Sequence, residues 1–278
     1  MAVLDPRDDP ASVVGAERVM LELWTVLVSF TDAMTIVGGS APPLLTGDQP
    51  DDPYVGTLDV DLVIDPIGVP DDVYRTIAEL LRERGYAQLD QPFRWLRSVT
   101  VDGRSIDIEV DLLAPFTPRM GSDHRHERIG GEPLARRTEG AELVRIARVD
   151  RELEGILPDG RRNRVAVRVA SPAAMVILKA LVIGQRDKPK DAYDIDYLLR
   201  HVGVEEVATG IAEFGQLESV KKALGVLAEK FSSIDAIGPT SVVLYRRVPL
   251  GSPEADQLQA LAYARVDQLL RRLRDGMP

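Results

Sequence analysis

Two stretches decide how this chain is read: Met34-Thr35-Ile36-Val37-Gly38-Gly39-Ser40 and Thr57-Leu58-Asp59-Val60-Asp61-Leu62-Val63-Ile64. In the first, a short apolar strand runs into two glycines and a serine. Glycines there let backbone N–H groups close on an anion, and the serine hydroxyl adds a donor. A plain tight turn is the alternative. In the second, polar and apolar residues alternate, as in a strand with one buried face. Residues two apart on a strand share a face, so Asp59 and Asp61 project together while Val60, Leu62 and Ile64 face the core. Paired carboxylates repel unless a cation sits between them or one takes a proton. A hard divalent ion bridging to phosphate oxygens meets that need. A solvated acidic edge is the alternative, and a lone Asp-x-Asp would favour it.

A third acidic segment, Ile106-Asp107-Ile108-Glu109-Val110-Asp111-Leu112, repeats the alternation. All three of its acids lie on one strand face, and the strand need only lie beside Asp59 and Asp61 to add a ligand or a base. Three carboxylates, a small-residue phosphate loop and a metal make a nucleotidyl-transfer site. Asp102-Gly103 is a two-residue hairpin turn joining strands over 93–101 and 104–113. A helix is expected over 11–33 with Ser12 able to cap it, and another over 71–84, stopped by Gly85. Residues 42–56 and 115–140 read as loops, the latter carrying His124 and His126. Strands around Pro158-Asp159-Gly160 fill 142–169. Ser171-Pro172 opens a helical half, with helices over 171–184, 190–202, 204–214, 217–231 and 254–274. The expected organisation is an α/β domain over 1–170 and a helical domain over 171–278.

In the helical half, Lys179 interrupts an otherwise apolar helix. Its stem can snorkel to solvent, or its charge can serve a triphosphate. Asp191 and Asp194 lie three apart on one helix face. Asp191 can equally be a helix N-cap, whereas Asp194 lies too far inside the helix to cap it. Asp196 points elsewhere and reads as surface, and Tyr193 and Tyr197 read as packing residues.

Together these motifs resemble the nucleotidyltransferase superfamily, the DNA polymerase beta-like group: a Gly-Gly-Ser loop, a downstream Asp-x-Asp strand and a third carboxylate on a later strand. Within it the chain is most similar to the AbiEii/MenT-type toxin nucleotidyltransferases. Lys179 in a helix, Arg186-Asp187-Lys188-Pro189, then Lys190-Asp191-Ala192-Tyr193-Asp194 carry that likeness through the second half. The interval between Ser40 and Asp59 is longer than usual in that group, and Tyr54-Val55-Gly56 stands where an Arg is often found.

The resemblance implies a nucleotidyltransferase-like mixed sheet flanked by helices, followed by a helical region. It implies transfer of a nucleoside monophosphate from an NTP to an acceptor hydroxyl on tRNA or protein, releasing pyrophosphate, in a toxin paired with a cognate antitoxin. Catalytic roles fall on Asp59, Asp61, Asp111, Lys179 and Asp194. Nucleotide binding falls on Gly38, Gly39, Ser40, Thr57, Arg186 and Asp191. Asp59, Asp61 and Asp111 hold two Mg²⁺ ions, or Mn²⁺ in their place. A small-molecule acceptor of the aminoglycoside type, or an inactive nucleotide-binding module, are the competing functions.

Composition bounds the rest. With 45% hydrophobic residues the chain can fill a core. The absence of cysteine removes disulfides, thiolate sites and cysteine nucleophiles. Neither an apolar span nor a signal peptide is legible, so a cytoplasmic protein without a membrane partner is expected. The net charge is −10, but unevenly spread: residues 1–118 carry −13 and residues 119–168 carry +3. An Arg band within 119–168, densest at Arg136-Arg137 and at Arg161, Arg162 and Arg164, either cradles an acceptor or is a solvated hairpin edge.

Overall fold

A computed structural model describes residues 8–65, 71–116, 126–129 and 132–276. The chain divides into two compact units, Met1–Ala170 and Ser171–Pro278.

The first unit is a mixed sheet. Strand β1 (Met34–Val37) is antiparallel to β2 (Asp59–Ile64), and β2 is parallel to β5 (Arg104–Pro115). On that side β5 pairs antiparallel with β4 (Arg94–Val101), which pairs with the short β3 (Ala87–Gln88). On the other side β1 lies parallel to β9 (Arg162–Ala170), the second strand of a hairpin with β8 (Arg148–Ile156). Residues 115–140, read as a loop, instead contain β6 (His126–Ile129) and β7 (Glu132–Thr138), the latter parallel to the end of β5. His124 lies outside the described residues.

Among the described residues the first unit has three α-helices, α1 (Pro10–Val26), α2 (Ala41–Thr46) and α3 (Asp71–Glu83), and α1 covers one face of this sheet. It begins two residues before Ser12, at Pro10, because proline suits the first turn; a 3₁₀ segment over Val28–Ala33 replaces its expected last turns. Leu21, Leu23 and Trp24 are buried on it, each contributing about 2 kcal/mol of burial. Contact with the strands is close at Gly15: a Cβ there would stand 3.0 Å from Ile108 and 3.2 Å from Val99. Glu22 of α1 is buried and receives Arg97 of β4 at 2.8 and 3.0 Å and the Tyr86 hydroxyl at 2.9 Å. These bonds fix the register of α1 over the strands, because a buried carboxylate without its partners would be costly. Val60, Leu62, Ile108, Val110 and Trp95 all point into this buried side. The acids that alternate with them therefore take the other face.

The second unit contains α4 (Pro172–Ile183), α5 (Pro189–His201), α6 (Val204–Ala212), α7 (Glu218–Lys230), α8 (Ile237–Tyr245) and α9 (Pro253–Gly276). Ser171 caps α4, its hydroxyl accepting the Ala174 N–H at 3.2 Å. Among the described residues, no helix is long and apolar enough to cross a membrane.

Candidate active site

The phosphate-loop candidate sits where β1 ends. Val37 pairs with Asp61, so Gly38, next along the chain, lies against the Asp61 side chain. Gly38 has φ +65°, and a Cβ there would fall 1.9 Å from Asp61 Oδ2 and 2.8 Å from Asp61 Cβ. Both the backbone and the close approach require glycine. Gly38–Ser40 form a 3₁₀ turn leading into the short helix α2 (Ala41–Thr46), with Gly39 and Ser40 buried. Gly38→Ala is expected to cost about 1–2 kcal/mol in backbone strain. It should also push Asp61 from its place. Urea unfolding and transfer rates on one preparation would check both; a fully active variant would show that the loop tolerates a displaced Asp61.

The acidic face is set by register. β2 and β5 pair Asp59 with Glu109 and Asp61 with Asp111. Laterally paired residues of a sheet share a face, so four carboxylates stand together. Asp59 and Glu109 are exposed, while Asp61 and Asp111 are half-buried. The Thr57 hydroxyl donates to Asp59 Oδ1 at 2.5 Å and holds it from its own strand entry. Asp107 lies further along β5 and accepts from Ser98.

Arg94 completes this face. It stands opposite Asp111 on β4. Its Nε and Nη2 donate to the two Asp111 oxygens, both at 2.7 Å, and Nη1 lies 3.3 Å from Glu109. The hydrogen bonds to Asp111 raise the Arg94 pKa, against the effect of burial, and the charges of Glu109 and Asp59 add to the rise. Sequence reading missed Arg94, although the signal was present. A two-residue turn at Asp102-Gly103 pairs Val101 with Arg104, and counting back along both strands brings Arg94 to Asp111.

An all-carboxylate donor set suits a hard dication such as Mg²⁺ or Mn²⁺. Among the described residues, however, no group of three or more His or acidic side chains is already arranged to hold an ion. The donor chemistry fits the ion; the resting geometry has Asp111 held by Arg94.

In the helical unit, four of the expected residues form one cluster. The Lys179 amine lies 2.9 Å from Asp191 and 2.6 Å from Asp194. Arg186 Nε and Nη2 reach Asp191 at 2.9 and 3.2 Å, and Lys190 reaches Asp194 at 3.2 Å. Lys179, Asp191 and Asp194 are buried, whereas the Arg186 side chain is 48% exposed. Arg186 therefore presents the outward charge of the cluster. Burial works against the Lys179 charge, but Asp194 and Asp191 outweigh it and push its pKa above the ordinary lysine range. Asp191 is not an N-cap: α5 starts at Pro189 after Lys188, and the Asp191 carboxylate turns to Lys179 and Arg186. Asp196 is not a surface residue either; it is 1% exposed and pairs with Arg265 of α9 at 2.7 Å. Tyr193 and Tyr197 pack, with ring centroids 5.8 Å apart.

Burial opposes the Asp191 charge, but Lys179 and Arg186 prevail and hold its pKa down to about 2. A carboxyl depressed in the folded state contributes stability above its unfolded pKa and loses it as pH falls through the folded value. Stability is thus expected to decline from about pH 4 toward pH 2 by about 2 kcal/mol from this group alone. Urea midpoints across that range should show a shallower decline in Asp191→Asn. Equal slopes would remove Asp191 from the acid response. The Lys179 contribution has the opposite sign: it is complete at neutral pH and fades only above the lysine range.

A cleft of about 390 Å³ adjoins the phosphate-loop candidate, with Gly39, Ser40 and Thr57 at one side and Met20, Leu44 and Leu153 among its apolar walls. Arg residues of the β8–β9 hairpin mostly meet acids: Arg161 pairs with Asp159, Arg162 with Glu154, Arg164 with Glu152 and Arg168 with Asp32. Arg137 is buried. That distribution fits a salt-bridged hairpin better than an open anion cradle.

No curated protein matches the chain. The model of one protein family does, the nucleotidyl transferase AbiEii toxin of type IV toxin–antitoxin systems, over residues 52–266. That span includes the Asp59–Asp61 strand, β5, Arg94 and the Lys179 cluster, and begins after Gly38–Ser40. It covers well over half of the 278 residues, and the chain belongs to the AbiEii family of toxin–antitoxin nucleotidyltransferases.

Proposed function

We propose that this protein moves a nucleoside monophosphate from an NTP to an acceptor hydroxyl on tRNA or protein, releasing pyrophosphate, as the cytoplasmic toxin of a pair with a cognate antitoxin. The observation that carries this reading is the register of β2 beside β5, which gathers Asp59, Asp61, Glu109 and Asp111 on one face next to the Gly38–Ser40 turn. Asp59, Asp61 and Asp111 would hold Mg²⁺, or Mn²⁺, which when bound neutralises phosphate charge and acidifies an attacking hydroxyl. Thr57 fixes the Asp59 carboxylate for that task. Gly39 and Ser40 bind the departing phosphates through backbone N–H and hydroxyl donors. Asp111, half-buried on β5, is the proton acceptor for the incoming hydroxyl.

Within the helical unit, Lys179 and Arg186 are the cations we assign to the triphosphate, with Asp191 and Asp194 holding Lys179 in place. In-line displacement at phosphorus needs little covalent help, so positioning and charge neutralisation suffice. A cationic small molecule is the second acceptor class, favoured by the −13 charge of residues 1–118.

The test is incubation with each labelled NTP and Mg²⁺, first with total tRNA, then with cell extract, then with a panel of aminoglycosides. Label on one acceptor class, with equimolar pyrophosphate and loss on chelation, is expected. Failure to label any acceptor with any NTP would overturn the assignment.

A further inference from the structure

We infer that Arg94 is the resting counter-ion of the acidic face, and that a divalent cation reaches Asp111 only by displacing it. This rests on the metal-site reading above. Arg94 engages both oxygens of Asp111, each at 2.7 Å, and extends a third N–H-bearing nitrogen to within 3.3 Å of Glu109. A guanidinium has no acceptor atoms and cannot itself bind a cation. A dication at Asp111 would meet the guanidinium's positive charge at van der Waals range. Arg94 takes one lone pair of each Asp111 oxygen and sets a positive charge beside the others, so the carboxylate is open to a dication at full strength only as Arg94 withdraws, and loading is an exchange.

The partner that Arg94 grips with two bonds is the half-buried Asp111, so the pair supports the fold and at the same time occupies the carboxylate that a cation would need. The Arg94 side chain is itself 30% exposed, which leaves it a way out. Its guanidinium also lies 5.9 Å from the Phe93 ring, a weak contact.

The exchange has a consequence for the order of binding. A displaced guanidinium remains tethered at the acidic face. A polyphosphate arriving there is the anion it matches bidentately. Cation and nucleotide therefore favour each other's binding, by the same factor in either direction. Alone, each is held weakly: the cation because Arg94 must be displaced, the nucleotide because the carboxylates repel it. Such coupling keeps the site closed to cations until the nucleotide is present.

Mn²⁺ titration followed by electron paramagnetic resonance tests this without any turnover. Wild type, Arg94→Gln and Arg94→Lys would each be titrated alone and with a non-hydrolysable NTP analogue, and each again with Asp61→Asn added. Arg94→Gln is expected to bind Mn²⁺ alone about tenfold or more tighter than wild type. Arg94→Lys, whose amine cannot make the two-pronged contact, should fall between and keeps the strand's charge if the Gln variant folds poorly. The analogue should tighten Mn²⁺ binding in wild type much more than in Arg94→Gln. Unchanged or weaker Mn²⁺ binding in both Arg94 variants, with Asp61→Asn still abolishing it, would overturn the exchange and leave the metal site standing. Mn²⁺ binding indifferent to Asp61→Asn in every background would remove the site, and the exchange with it.

Discussion

Asp61→Asn is expected to slow nucleotidyl transfer by about a thousandfold, or ~4 kcal/mol of barrier, while the metal-free protein stays at least as stable. The amide keeps the shape of the carboxylate against Gly38, where space is tight. It loses the anionic oxygen that a hard cation requires. In the metal-free state the change removes one of four like charges. Four acids share that face, so removing one charge lowers their mutual repulsion. Thermal melts with chelator should show a midpoint equal to wild type or slightly higher. With Mg²⁺ and an NTP analogue at about a hundred times Kd, linkage predicts about 2.7 kcal/mol of stabilisation for wild type. The variant should show much less. Full activity in the variant would refute the metal role; several degrees lost without metal would make Asp61 a structural residue.

What the sequence made legible was local. The alternation in β2 and β5 gave the buried and acidic faces, and Asp102-Gly103 gave the β4–β5 register, since both rest on neighbours a few residues apart. The parallel pairing of β2 with β5 was not legible, because Asp61 and Asp111 are brought together by strands far apart in sequence, and no local signal specifies such a partner. Residues 237–245 gave no helical signal: Gly238 and Pro239 occupy the first turn, and the apolar run that follows lacks a polar face. Asp196 was misread for a related reason. Its periodicity places it off the Asp191/Asp194 face, but Arg265, 69 residues on, makes burial affordable. Arg94 was the instructive miss. A two-residue turn fixes which β4 residue stands opposite each acid of β5, and Arg94 opposite Asp111 follows from it.

Lys179→Met is expected to destabilise the protein by about 3–5 kcal/mol, and to do so through the acids it leaves behind. Asp191 is 1% exposed and Asp194 fully buried, and Lys179 contacts both. With the amine gone, Asp191 keeps Arg186 and Asp194 keeps Lys190, each a more exposed partner than Lys179. Methionine matches the stem of lysine and fits the apolar α4, so little of the loss comes from packing. Neutralising the acids should then restore part of it: Lys179→Met with Asp191→Asn and Asp194→Asn should recover stability that the single change lost. Denaturant unfolding of the single and triple variants measures this, and it separates two roles that activity alone would confuse. A triple variant that regains stability but not transfer would require the Lys179 charge in the reaction. One that regains both would make the cluster scaffolding, and the phosphate charge would then fall to Arg186. A single variant losing under about 1 kcal/mol would mean that water reaches the carboxylates, and that the cluster is neither buried nor held as drawn.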